Sequence, residues 1–180
     1  YRVSELTGID LMSEHLYKFG FGNKTYIDLY DEKPGLIPDR AWKSKTKQLP
    51  WYPGETLNIG IGQGYFLTTP MQLTLGTAVL AGDGKTYLPH LLLGSKNKTS
   101  GEFLGYEHSE NEFEADIEDH GYLDIIQHAM WRVVNEKGVG TASHLGKIGG
   151  VEIAGKTGTA QVYNLDKGRT GIKKLQDHAL

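Results

Sequence analysis

The stretch TPMQLTLGTAVLAGDG, residues 69–84, constrains the fold of this chain more than any other part. Thr69 and Gln72 stand at the spacing of a capping box, in which a hydroxyl and a side-chain amide take up the first free N–H groups of a helix. Pro70 suits the first helical position, where an N–H would have no partner. The helix predicted from there runs to about Ala81 and ends at Gly82 and Gly84. Met71, Leu73, Leu75, Ala78, Val79 and Leu80 fall on more than one of its faces, so it is expected to be enclosed by other elements.

A second helix is predicted from Tyr122, Ile125, Ile126, Ala129, Met130, Val133 and Val134, which follow the 3.6-residue repeat between Asp119 and Lys137-Gly138 and set a stripe toward a core. A shorter helix, capped by Asp10 and ended by Gly20, puts Leu11, Met12, His15, Leu16 and Phe19 on one side. Between Phe21 and Pro53 five breakers (Pro34, Gly35, Pro38, Pro50, Pro53) and the lysines Lys43, Lys45 and Lys47 read as a long surface connection with a solvated lysine face. YLPHLLLG, residues 87–94, reads as a strand, residues 94–116 as a polar, acidic excursion, and Val151 to Tyr163 as the clearest strand. Helices outnumber strands and the best strand comes late, which gives an α+β domain with helices packed on a sheet.

Of the 180 residues 38% are hydrophobic and 23% charged, enough to fold, and the formal net charge of -3 gives no electrostatic case for a nucleic-acid partner. The absence of cysteine excludes disulfides and thiolate metal sites, and the seven histidines are scattered, so neither a metal nor a cofactor is expected. Nothing approaches 18 consecutive apolar residues, so a membrane anchor would lie outside this chain. YRVSELTG reads as the last two turns of a helix stopped at Gly8, and QDHAL begins an apolar run and stops; the chain is therefore expected to be one part of a larger domain.

Within the late strand lies Lys156-Thr157-Gly158-Thr159. Alternation along a strand sends Thr157 and Thr159 to one face and Lys156 to the other, so two hydroxyls and an ammonium cluster in one short edge. Gly158 weakens the strand but lets another backbone approach closely. Such an edge suits an extended peptide: its N–H and C=O groups pair with the peptide backbone, and the lysine and threonines meet a carboxylate. The plainer reading is an ordinary strand with a solvent-facing lysine.

The context of the motif resembles a family. FGFGNKTYIDL, GLIPDRAWK, LPWYPGETLNIGIGQGYFLTTPMQLT and EIAGKTGTAQV are similar to successive blocks of class B penicillin-binding proteins, the elongation type above all, over nearly the whole chain except the acidic excursion. The resemblance implies the fold of penicillin-binding proteins and serine β-lactamases, here in part, with helices on an antiparallel sheet. It implies an inner-membrane, periplasm-facing D,D-transpeptidase, whose serine attacks the D-Ala-D-Ala bond of peptidoglycan stem peptides, forms an acyl-enzyme and passes the acyl group to an amine of a neighbouring stem. β-Lactam antibiotics mimic that donor. Glycosyltransferase and scaffold proteins of the elongation machinery would be its partners. By the same resemblance Lys156 holds the proton and hydrogen-bond network beside the nucleophile and attracts the substrate carboxylate, Thr157 and Thr159 bind that carboxylate, Gly158 permits the approach, and the Thr159 N–H is one of two oxyanion-hole donors.

In this family the nucleophilic Ser-x-x-Lys and the Ser-x-Asn triplet precede the blocks matched here, so neither is expected in this chain. Three decoys nonetheless fit a motif. SKTK at Ser44–Lys47 and SKNK at Ser95–Lys98 sit among lysines and loop formers, where a solvated ammonium cannot take a serine proton. SEN at Ser109–Asn111 lies in an acidic stretch that would repel a carboxylate. NIGIGQG carries Gly60, Gly62 and Gly64 as G-x-G-x-G rather than a dinucleotide fingerprint and reads as a tight turn. A penicillin-sensing scaffold, a β-lactamase and a nucleotide-binding oxidoreductase stand as the rival functions.

Overall fold

The computed structural model describes residues 1–106, 112–145, 147, 149–160 and 178–179. Along the chain run α1 (Arg2–Lys18), α2 (Arg40–Lys47), α3 (Pro53–Ile59), α4 (Pro70–Ala81), β1 (Lys85–Tyr87), β2 (Gly94–Lys96), β3 (Phe103–Gly105), β4 (Glu112–Glu114), α5 (Gly121–Asn135), β5 (Thr159–Ala160) and β6 (His178–Ala179). The strands form three two-stranded antiparallel sheets, β1 with β4, β2 with β3 and β5 with β6. Helices with small antiparallel sheets make the expected α+β arrangement. Among the described residues no helix is long and apolar enough to cross a membrane.

Helix α4 organises the centre. Both arms of its capping box form: Thr69 Oγ1 accepts from the Gln72 N–H at 3.1 Å, and Gln72 Oε1 accepts from the Thr69 N–H at 2.9 Å. The fully buried Gln72 amide does more, since its Nε2 donates to the carbonyls of Asn23 and Pro34, each at 2.6 Å. The helix buries Gln72, Leu75, Gly76 and Val79, one face at spacing i, i+3, i+4, i+7. The expected enclosure on several sides does not occur. Leu73 is exposed, and Thr74 and Thr77 on the outer side give their hydroxyls to the carbonyls of Pro70 and Leu73, so that side is satisfied facing water. A Cβ at Gly76 would lie 2.8 Å from the Phe21 ring, which explains the glycine on the buried face.

Helix α1 breaks at Gly8 (φ 75, ψ 163), where the sequence placed a stop. Asp10 does not cap the second half; its carboxylate accepts from Arg40 Nε at 2.9 Å and ties α1 to α2. The connection from Phe21 to Pro53 is not irregular throughout, because Asp39 Oδ1 accepts from the Trp42 N–H at 2.6 Å and starts α2, which Gln48 ends in the left-handed conformation. The lysine cluster is a solvated face at Lys45 and Lys47 but not at Lys43. Lys43 is 1% exposed, with its ammonium 2.5 and 2.6 Å from the two Glu55 oxygens and 4.3 Å from the Tyr52 ring centroid. Glu55 also accepts from the Tyr52 N–H at 2.8 Å at the start of α3, so one buried ion pair joins two short helices.

Two further expectations change. Residues 88–93 form no strand: Pro89 lacks an N–H, and the N–H groups of Leu91 and Leu92 donate to the Asp28 carboxylate at 2.7 Å each. The acidic excursion is ordered in its described part as the β2–β3 hairpin and the return strand β4. Of the predicted stripe of α5 only Val134 is buried, with Leu123 buried from outside the stripe, while Tyr122, Ile125 and Ile126 are exposed.

Gln72→Leu should destabilise the fold by about 2–4 kcal/mol, because it leaves the Asn23 and Pro34 carbonyls unpaired and removes half of a cap. A urea midpoint that falls at unchanged m-value would show this, and an unchanged midpoint would contradict it. Burial pushes the Glu55 carboxyl up, but the bonds from Lys43 and the Tyr52 N–H outweigh burial and hold it below the usual carboxylate range. Its stabilisation is therefore complete above the unfolded pKa of about 4.3 and is lost as pH falls through the lower folded value. Glu55→Gln should cost about 3 kcal/mol at neutral pH by stranding buried Lys43, and should flatten the acid limb of a stability-versus-pH curve.

Candidate functional site

The segment before the motif is held by α5 rather than by a neighbouring strand. The Gly155 N–H donates to the Met130 carbonyl at 3.1 Å, Asn135 Nδ2 donates to the Ile153 carbonyl at 2.9 Å, and Trp131 Nε1 donates to Glu152 Oε2 at 3.2 Å. Glu152 also pairs with Lys147 at 3.1 Å, and the bonds from Lys147 and then Trp131 hold its carboxyl below the usual range. The strand predicted from Val151 to Tyr163 is correspondingly shorter. Among the described residues Val151 makes an isolated bridge and only Thr159 and Ala160 enter a ladder, facing Ala179 and His178; Gln161 to Tyr163 lie outside the described residues. Backbone groups at 153 and 155 that a ladder would have used are already paired with α5.

Lys156, Thr157, Gly158 and Thr159 are all exposed. Lys156 Nζ donates to the Thr157 carbonyl at 2.5 Å and has no carboxylate partner among the described residues, so its charge is available to an anion. A Cβ built on Gly158 meets nothing within 4 Å, and the segment is not sealed within a sheet. The structure thus brings together an ammonium, two threonine side chains and an open stretch of backbone.

The decoys fall apart in three dimensions. Ser44 lies in the middle of α2, exposed, and Lys47 three residues on turns its ammonium over the Tyr65 ring, 5.9 Å from the centroid. Ser44 was expected in a loop; the helix instead places it facing solvent, where the same argument against a serine–lysine pair holds. Ser95 sits in β2 opposite Leu104, and Lys98 in the hairpin turn beyond. Ser109 and Asn111 lie outside the described residues. The glycines of NIGIGQG follow helix α3, with Gly62 at φ 74 and Gly64 at φ 80, and a turn after a helix is not the strand–turn–helix of a dinucleotide site. Sequence reading missed Asn135 and Trp131, whose polar ends interrupt the apolar helix pattern and were the available signal.

The family described as the penicillin binding protein transpeptidase domain matches residues 1–176. The peptidoglycan D,D-transpeptidase MrdA of Escherichia coli is 37% identical over 185 residues, covering 100% of this chain and 29% of the relative. The chain therefore spans less than a third of that protein's length. Among solved structures, Pseudomonas aeruginosa penicillin-binding protein 2 in complex with WCK 5153 matches 90% of this chain and 35% of its own, with TM-score 0.72 and 40% identity. Helicobacter pylori penicillin-binding protein 2 in complex with MreC matches 90% of this chain and 28% of its own, with TM-score 0.76 and 34% identity.

Gly158 has open space around it and a φ outside the left-handed region. Gly158→Ala should leave thermal stability unchanged or raise it by up to about 1 kcal/mol. Gly35→Ala is the contrasting control, since Gly35 has φ +67 and its Cβ would lie 2.4 Å from the Leu67 carbonyl. Destabilisation by Gly158→Ala equal to that of Gly35→Ala would show that the motif is packed, not open.

Proposed function

The chain belongs to the penicillin-binding protein transpeptidase domain family, and from that premise we propose that it is the C-terminal part of the transpeptidase domain of an elongation-type peptidoglycan D,D-transpeptidase. The Ser-x-x-Lys and Ser-x-Asn segments lie upstream in this reading. The serine hydroxyl adds to the penultimate D-Ala carbonyl, the terminal D-Ala leaves with a proton on its amine, and an amine of a second stem then displaces the serine. Lys156 receives the terminal carboxylate and maintains the proton network at the serine; the Thr157 and Thr159 hydroxyls hold the same carboxylate. The Thr159 N–H donates to the oxyanion, an interaction whose removal typically costs about 3 kcal/mol in the transition state.

One observation carries the reading: an exposed ammonium with no carboxylate partner among the described residues stands beside an unobstructed glycine backbone in the family's Lys-Thr-Gly motif. The exposed apolar residues Tyr122, Ile125 and Ile126 of α5 support further parts of the domain packing there. β-Lactams would acylate the complete domain as mimics of the donor. The MreC complex of the Helicobacter pylori relative supports a scaffold partner. A glycosyltransferase of the same machinery as second partner, and the periplasmic face of the inner membrane as site of action, are parts of this proposal that rest on the family resemblance.

These 180 residues alone should form no covalent adduct with a fluorescent penicillin, whereas the complete domain should label at one serine upstream of Tyr1. Labelling that maps to Ser44 or Ser95 would overturn the assignment of roles, and failure of the complete domain to label would overturn the function.

A further inference from the structure

We propose that Asn135 and Trp131 at the C-terminal end of α5 are positioning residues for the Lys156–Thr159 edge, an inference that rests on the transpeptidase reading. Among the described residues, 156–158 have no anchor of their own: all are exposed, and the only side-chain bond of Lys156 there is to the carbonyl of the next residue. Their placement is inherited from both sides. Downstream stands the short ladder of Thr159 and Ala160. Upstream, one stretch of helix, residues 130–135, holds Glu152, Ile153 and Gly155 by three hydrogen bonds of 2.9–3.2 Å, ending one residue before Lys156.

Asn135 is the centre of this clamp. Its Nδ2 carries two hydrogens and has two acceptors, the Trp131 carbonyl at 2.9 Å, one turn back in the helix, and the Ile153 carbonyl at 2.9 Å. The same group therefore grips the last turn of α5 and the strand entry at once, so that the segment is indexed to that turn. Trp131 adds the Glu152 contact, and its ring is stacked on His128 with centroids 5.8 Å apart. The helix is itself referenced to the centre of the fold, through buried Leu123 and through Gln127 Nε2, which donates to the Leu80 carbonyl of α4 at 2.6 Å. A loosened clamp would let Lys156 and the Thr159 N–H drift while the helices stay packed, and a misplacement of about 1 Å can slow a reaction about a hundredfold.

The test follows the time course of acylation by a fluorescent penicillin in the complete enzyme, comparing wild type, Asn135→Asp and Trp131→Phe. Asn135→Asp keeps the size and removes both donors; Trp131→Phe keeps an aromatic ring on His128 and removes the Nε1 donor. The expected result is acylation slowed about ten- to a hundredfold in Asn135→Asp and severalfold in Trp131→Phe, with nearly every molecule labelled at the end. Acylation of the folded molecules at the wild-type rate overturns the inference, even if fewer molecules label, because a purely structural bond changes how many molecules fold and not how fast they react. If Asn135→Asp does not fold, the rate in Trp131→Phe decides in the same way. A wild-type enzyme that does not label at all sinks the transpeptidase reading and this inference with it, whereas labelling at equal rates in all three sinks the inference alone.

Discussion

The side-chain amide of Gln72 is the junction on which the described fold depends. Its oxygen accepts from the Thr69 N–H and from the Thr68 hydroxyl, and its nitrogen donates to Asn23 and Pro34, so all four hydrogen-bonding positions are filled in a fully buried group. A buried amide is costly unless paired and rigid once it is, since any shift strands a donor or an acceptor at about 1–3 kcal/mol. The start of α4 and both ends of the 23–34 loop are thereby fixed to one another. Inside that loop Glu32 accepts from the Thr25 N–H and hydroxyl and from the Tyr26 N–H, which holds Tyr26 in a left-handed conformation at φ 59. Asp28 extends the same logic to Leu91 and Leu92, and those two backbone bonds hold its carboxyl below the usual range.

Side chains thus take the place of a continuous sheet in this part of the molecule. The strands are two or three residues long, and the connections between segments are made by carboxylates and amides that accept from or donate to backbone. This order is relayed outward. Helix α4 fixes α5 through the Leu80 carbonyl, α5 fixes residues 152–155, and Lys156–Gly158 stands exposed between that support and the short ladder at Thr159. An edge that must accept an extended ligand cannot be covered by its own chain, so its geometry has to come from neighbours held elsewhere.

Much of this was legible in the residues. The capping box at Thr69 and Gln72, the break at Gly8, the long helix ending near Asn135 and the exposure of the Lys-Thr-Gly-Thr run all follow from local rules of capping, glycine conformation and periodicity. What escaped was set by contacts distant in sequence. The lysine content around Lys43 argued for solvent, because nothing local announces that Glu55, twelve residues on, will meet it inside. Leu91–Leu93 looked like a strand because apolar runs do, while the partner of their N–H groups, Asp28, lies more than sixty residues earlier. The late strand is shorter than its sequence predicts for the same reason: apolar alternation cannot say that α5 takes the backbone groups of Ile153 and Gly155. Apolar stripes on α4 and α5 gave the helices correctly and their environment incorrectly, since period reports a face and not what covers it.

Hydrogen–deuterium exchange of residues 155–160 in the complete domain, before and after acylation by a penicillin, tests most directly whether the open edge is the receptor. Exchange at the Thr159 amide should slow at least about tenfold on acylation, as its N–H becomes a donor to the bound acyl oxygen. Unchanged exchange across this segment, with protection appearing at other loops, would contradict the account.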